Sequence, residues 1–279
     1  PPTEGTLQFE GVALPGTAVR RPVNLRRELQ MVFQNPDSAL NPSYSVRSIL
    51  QQALKLLTGL KSRDKLEVRV NELAAAVKLE GRHLDARPTG LSGGQKQRAS
   101  IARAFAGTPA LVLCDEPVSA LDVSVQAAIL NLLVDLQKTG VSYVFISHDL
   151  GVVRYISDWI GVMYLGELME VGPADAVFGL PHHPYTESLL SAAATLDEGT
   201  HTRIKLRGAI PSPSNPPSGC RFHTRCPLYL GDICKLKEPP MFQTEAGNQY
   251  RCHIPPDELK EKELRLRETG TVGPAGAAE

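Results

Sequence analysis

The chain has 279 residues, with 30 Lys and Arg against 30 Asp and Glu, 42% hydrophobic residues and 5% aromatic ones. This composition excludes a collagen-like or largely disordered polymer, and the zero formal charge argues against a broad surface for nucleic acid or anionic lipid. No apolar run reaches the 18 or so residues of a membrane-crossing helix, and the opening residues lack the basic start and apolar block of a secretory leader, so a cytosolic globular chain is expected.

Thr6 to Phe9 alternates polar and apolar residues ahead of Gly11, which predicts a short strand and turn, and Gln30 to Phe33 predicts a second strand. Asn35-Pro36 and Asn41-Pro42 break the pattern. From Val46 to Leu57, and again through Leu66, Val70, Leu73 and Val77, apolar residues recur at helical spacing and predict a small helical insert closed by Gly90. Gln95 to Ala106 reads as a helix ended by Gly107, and Ala110 to Cys114 as a buried parallel strand. Val123 to Lys138 is a helix carrying Ile129, Leu132, Leu133 and Leu136, stopped by Gly140, and Val141 to Ile146 a further buried strand. Strands alternating with helices predict an α/β core with a mostly parallel sheet. Trp159 to Tyr164 and Leu168 to Val171 flank Leu165-Gly166-Glu167 as a hairpin. Beyond about residue 207, Pro211, Pro213, Pro216 and Pro217 crowd together, periodicity is lost and a boundary is expected; residues 257–279 read as a frayed helix or disordered tail.

Three strings carry chemistry. Leu91-Ser92-Gly93-Gly94-Gln95 sets two glycines and a hydroxyl at a helix start, where free backbone N–H groups, the positive end of the helix dipole and a close backbone approach suit a phosphate. Leu111 to Cys114 runs into Asp115-Glu116, two adjacent carboxylates at the C-terminal edge of a buried strand, where parallel α/β sheets bind ligands. Neighbouring residues there point different ways, so one can hold Mg²⁺ while the other polarises an attacking water. Ser119-Ala120-Leu121-Asp122 follows, and His148 closes the next strand on the same sheet edge, within reach of the same phosphate. Four of the five cysteines form Cys220-x₅-Cys226-x₇-Cys234-x₁₇-Cys252. That spacing matches neither the paired Cys of structural zinc nor the ferredoxin run, and by itself leaves a metal site and four free thiols both open. Cys114 reads as a small core residue.

Taken together these residues resemble the ATP-binding-cassette (ABC) family. Gln34 matches its Q-loop, Leu91 to Gln95 the signature motif, Leu111 to Glu116 the Walker B strand, Ser119 to Asp122 the D-loop and His148 the switch histidine. Val32-Phe33-Gln34-Asn35-Pro36, Ser38 to Pro42, Ala120 to Gln126, Val162 to Gly166, His183-Pro184-Tyr185-Thr186 and the stretch from Pro216 to Cys252 resemble, more finely, the ATPase subunits of oligopeptide and dipeptide importers. The resemblance implies a RecA-like P-loop NTPase fold divided as 1–36 (remainder of the N-terminal core), 37–90 (helical subdomain), 91–185 (catalytic core), 186–256 (C-terminal extension) and 257–279 (tail). It implies Asp115 on Mg²⁺, Glu116 as general base for water, His148 at the γ-phosphate and Gln34 sensing both. Ser92, Gly93, Gly94 and Gln95 would cap an ATP held by a partner, and Asp122 would couple the two sites. It implies that Cys220, Cys226, Cys234 and Cys252 hold a [4Fe-4S] cluster. The implied partners are a second ABC ATPase subunit or fused half, two transmembrane permease subunits gripped by the helical insert and, through them, an extracytoplasmic peptide-binding protein, with no nucleic acid. The implied location is the cytoplasmic face of the membrane. Val118 resembles the second ATPase of such a pair.

One departure is plain: the sequence has no Gly-Lys dipeptide and so no Gly-x-x-x-x-Gly-Lys-Ser/Thr string. The family pattern leads us to expect a strand, P-loop, helix and adenine-stacking aromatic ahead of Pro1. Two other classes are weaker. A soluble ABC ATPase acting on ribosomes or nucleic acid fits the compact insert poorly, and a redox module built on the cysteines leaves the first 200 or so residues unexplained.

Overall fold

Val46, Ile49, Leu50 and Leu54 recur three and four residues apart, and all four are buried along one side of a helix. The first six elements are a hairpin of β1 (Gln8–Phe9) and β2 (Val12–Ala13), then α1 (Val23–Glu28), β3 (Leu29–Val32), this helix α2 (Val46–Thr58) and α3 (Arg63–Ala76). Ser45 caps α2 by accepting the Ser48 amide, and Ser62 caps α3 through Lys65. Leu66, Val70, Leu73 and Ala74 of α3 are buried, so the predicted insert is a helical unit completed by the short α4 (Gly81–Asp85). Arg47 of α2 reaches Asp85 at 2.8 Å and the Val46 amide donates to Ala86 at 3.0 Å, which ties α4 to α2.

The structure is a computed structural model describing residues 3–194, 204, 206 and 208–269, and contacts divide the chain into two units, Pro1–His148 and Asp149–Glu279. The first unit continues with α5 (Gly93–Phe105), β4 (Leu111–Asp115), α6 (Val123–Gln137) and β5 (Ser142–Ile146). Its sheet is wholly parallel in the order β3-β4-β5. Ala99, Ile101, Ala102, Ala104 and Phe105 of α5 and Ile129, Leu130, Leu132, Leu133 and Leu136 of α6 are buried. Each large side chain among them contributes about 1.5–3 kcal/mol. Val112 and Cys114 of the central strand are fully buried, and burial pushes the Cys114 thiol up to about 12. β5 differs from expectation: among the described residues it is the outer strand, with Val144 47% and Ile146 49% exposed.

The second unit holds α7 (Leu150–Ile156), β6 (Trp159–Tyr164), β7 (Glu167–Pro173), α8 (Ala174–Val177) and α9 (Pro184–Ala194). The expected hairpin is β6-β7, and Leu165 (φ 47°) and Gly166 (φ 78°) make its two-residue turn, a left-handed pair that suits the twist of the strands. The loss of periodicity expected past residue 207 is only partly met. α10 (Asp232–Leu236), β8 (Met241–Gln243), β9 (Gln249–Arg251) and α11 (Pro256–Thr269) follow, and β9 and β8 extend the hairpin into an antiparallel sheet ordered β6-β7-β9-β8. The tail expected at 257–279 is thus a helix to Thr269, the remainder lying outside the described residues.

Candidate functional site

The parallel sheet brings three of the expected residues together. Gln34 lies two residues beyond β3, Glu116 one beyond β4 and His148 two beyond β5, so all three sit at the C-terminal edge. The Gln34 amide donates to Glu116 Oε2 at 2.8 Å, and His148 Nδ1 lies 3.1 Å from Glu116 Oε1. Both carboxylate oxygens are therefore engaged. Glu116 itself has φ +43°, a left-handed conformation unusual outside glycine and costing of order 1–3 kcal/mol. Two contacts stabilise it: its amide donates to Ile146 at 3.0 Å, and Ser119 returns to the Glu116 carbonyl through backbone N–H (3.3 Å) and hydroxyl (3.1 Å). This left-handed residue directly follows Asp115, the last residue of β4. Gln34 also lies 3.4 Å from the Ser119 hydroxyl.

At the other motif, Ser92 is the N-cap of α5 and forms a reciprocal capping box with Gln95: Gln95 N donates to Ser92 Oγ at 3.3 Å and Ser92 N donates to Gln95 Oε1 at 2.9 Å. Gly94 has a packing reason of its own. A Cβ there would lie 2.6 Å from Val125 Cγ1, so this glycine is required by the packing of α5 on α6, whether or not a phosphate approaches it. A Cβ on Gly93 would meet only an ordinary contact, 3.5 Å from Leu121. Asp122 occupies the N-cap position of α6, yet its side chain makes no capping bond.

Residues that sequence reasoning did not single out surround the motif. Gln95 Nε2 is 3.1 Å from His83 Nε2 of α4, and Lys96 Nζ is 2.9 Å from Asp37 Oδ1. A capping-box pattern pointed to the first turn of α5, but nothing in the sequence pointed to His83 or Asp37.

In the second unit Cys220, Cys226, Cys234 and Cys252 are all free, and all but the half-buried Cys226 are buried. Cys220 lies in a cluster with Tyr164, Met169 and Phe222, Cys252 in one with Leu228, Tyr250, Ile254 and Leu259, and Cys226 borders both. Burial pushes Cys220 up to about 11, Cys252 up to about 12 and Cys226 well above its ordinary value; the charge Cys226 would carry is further opposed by Cys252, Cys220 and Cys234. The thiols thus lie near one another among packing residues, and burial disfavours the thiolate at Cys220, Cys226 and Cys252. Among the described residues no group of three or more His, Cys, Asp or Glu is arranged to hold a metal ion, so the expected [4Fe-4S] ligand set is not supported.

A further polar cluster was not foreseen. His182, His183, Glu187, Glu170, Asn248 and Glu263 are each at most 1% exposed. The His182 amide donates to Glu263, the His183 amide donates to Glu170 at 2.9 Å, and Arg267 grips Glu187 with two bonds of 2.7 Å. Burial lowers His182 to about 4 and His183 to about 3, keeping both rings neutral, and raises Glu170 to about 7 and Glu263 to about 9. These bonds hold α11 against the His-His-Pro-Tyr segment.

A family model described as "ABC transporter" matches residues 1–119, and one described as "Oligopeptide/dipeptide transporter, C-terminal region" matches residues 169–234. The dipeptide transport ATP-binding protein DppF of Escherichia coli is 44% identical over 253 residues, covering 90% of this chain and 75% of its own length. The oligopeptide transport ATP-binding protein AppF of Bacillus subtilis is 43% identical over 258 residues, covering 91% and 78%. Among solved structures, the dimeric post-hydrolysis state of the ATP-binding cassette MJ0796 with ADP and Pi superposes with a TM-score of 0.56 at 30% identity, over 62% of this chain and 75% of that one.

Proposed function

Since the chain belongs to the ATP-binding subunits of oligopeptide and dipeptide ABC transporters, we propose that it couples ATP hydrolysis to the import of peptides through a membrane permease. Subunits of this kind are peripheral to the membrane, and among the described residues no helix is long and apolar enough to cross one. A non-transport ABC ATPase is not favoured, because the likeness extends through the peptide-transporter C-terminal region at residues 169–234.

The observation that carries the reading is Glu116, held at the sheet edge with Gln34 on one oxygen and His148 on the other. Glu116 accepts the proton of the attacking water, Gln34 positions that water, and His148 turns towards the transferred phosphate. Asp115 would hold Mg²⁺, which neutralises charge on the leaving phosphates. Ser92, Gly93, Gly94 and Gln95 present a helix N-terminus to an ATP bound by a second ATPase subunit, and Asp122, free of its capping duty, faces the coupling between the two. The phosphate-cradling loop is not among these 279 residues, so the proposal concerns the groups this chain does supply. The protein would work at the cytoplasmic face, with two permease subunits and an external peptide-binding protein.

Glu116→Gln keeps the shape but removes the base. In the assembled transporter it should retain nucleotide binding and lower turnover by about 10² or more. Turnover near wild type would reject Glu116 as the base.

The [4Fe-4S] cluster belongs to the proposal on narrower grounds. What favours it is that, beyond burial, Cys220, Cys234 and Cys252 all bear on the Cys226 thiol and oppose a thiolate there, a penalty that a shared cation would relieve. Its chemistry there would be structural, four thiolates cross-linking the segment between Cys220 and Cys252.

A further inference from the structure

Lys96 breaks a local rule. It sits in the first turn of α5 beside Gly93, Gly94 and Gln95, with no acidic residue in that turn, so its charge faces the positive end of the helix dipole. A cation placed there needs a partner from elsewhere, and it has one. Nζ lies 2.9 Å from Asp37 Oδ1 and 3.1 Å from Oδ2, with only 21% of the Lys96 side chain exposed. Asp37 is itself fixed: it belongs to a 3-10 turn, Pro36–Ser38, capped by Asn35, whose side chain accepts the Asp37 amide at 2.9 Å. The Leu40 amide bonds back to Pro36 at 3.1 Å, and the Leu40 side chain is 1% exposed. The turn is therefore anchored in the core.

Three residues before Asp37 stands Gln34, bonded to Glu116. One short segment thus touches the base at one end and the first turn of the signature helix at the other. We propose that Asp37 and Lys96 are positioning residues, whose ion pair makes the segment 34–38 a link between Glu116 and the orientation of Ser92 to Gln95. The link rests on the reading of this chain as a transporter ATPase, in which Glu116 serves one nucleotide and the signature helix another. A displacement of Gln34 when water or phosphate takes its place at Glu116 would move Asp37, and with it Lys96 and the turn that caps the second nucleotide.

Asp37→Ala, Lys96→Met, the double variant and the charge swap Asp37→Lys/Lys96→Asp test this in the assembled transporter, with melting temperature and hydrogen exchange of the 92–97 amides measured on each. A solvent-accessible pair has a modest weight, so each single variant should raise the KM for ATP about two- to fivefold, leave kcat within about twofold and speed exchange at 92–97 by a similar factor, with little change in melting temperature. The double variant should be no worse than either single one, and the swap should recover KM and protection. An unchanged KM and exchange in Asp37→Ala would overturn the proposal. So would a Lys96→Met effect that Asp37→Ala does not share, which would place Lys96 on the nucleotide instead. A wild-type complex without ATPase activity would overturn the transporter reading, while the exchange measurement would still judge the pair.

Discussion

His148 and Glu116 face each other 3.1 Å apart, Nδ1 to Oε1, across 32 residues of sequence. A carboxylate only accepts, so Nδ1 is the donor, and in the tautomer this bond selects Nε2 is an acceptor. A lone pair repels a phosphate oxygen. In the proposed reaction that tautomer would donate to the γ-phosphate by releasing Glu116, and that release would also free Glu116 for water. The two events are one exchange of partners.

Removing the imidazole should take away this donor and leave Glu116 with Gln34 alone. For His148→Ala in the assembled transporter we expect ATP binding to persist and kcat to fall about 10²-fold. A loss below threefold would remove His148 from the reaction.

Gly94→Ala places a methyl 2.6 Å from Val125 Cγ1. Overpacking of this kind costs about 1–3 kcal/mol, so the melting temperature should drop measurably. Val125→Ala opens the contact, and Gly94→Ala/Val125→Ala should melt above the single Gly94→Ala. If the second substitution gives no recovery, the contact is not what requires glycine.

Glu263 has a folded-state value raised to about 9 by burial, well above the ordinary carboxylate value of about 4.3. A group raised on folding contributes stability fully below its unfolded value and loses it as pH rises through the folded one. Glu170, raised to about 7, acts in the same direction. The lowered His182 and His183 act the other way up to their unfolded value of about 6.5, so thermal melts should show stability declining mainly between about pH 6.5 and pH 9. Glu263→Gln, uncharged throughout, should flatten the upper part of that decline, and an equally steep fall in the variant would exclude Glu263 as its source.

For the cysteine quartet, anaerobic purification should yield a brown protein with about four irons per chain. Cys226→Ser should lower the iron content, since Cys226 borders both the cluster that holds Cys220 and the one that holds Cys252. Stoichiometric zinc without iron would replace the cluster with a zinc site, and no metal at all would leave the quartet as packing thiols.

Most of the first unit was legible because strand ends and helix caps are local. Gln34, Glu116 and His148 each follow an apolar run, and three parallel runs bring their ends to one edge. The strain at Glu116 was not legible, since nothing about Asp-Glu-Pro announces a left-handed residue. Periodicity also could not tell a central parallel strand from an outer one, so Val144 and Ile146 were expected inside. In the second unit β8 and β9 have three residues each, too few for alternation to show. Glu263 lies in a helix rich in Lys and Glu and looks solvated, although Leu259, Glu263 and Leu266 share one buried side. A buried carboxylate leaves no mark in hydropathy.

The bond from the His182 amide to Glu263 spans 81 residues, and the Asn248 amide reaches Glu170 across 78. During synthesis at about 5–20 residues per second, His182 waits about 4–16 seconds for its acceptor to be made. Over that interval β7 has β6 beside it but not β9, and the neighbours of His183 include one unshielded carboxylate. The second unit is therefore born late: its core closes only when α11 emerges, whereas β3, β4 and β5 of the first unit are complete by His148. A nascent chain halted between those points would hold a finished parallel sheet and an open antiparallel one, the state in which a chaperone would find it.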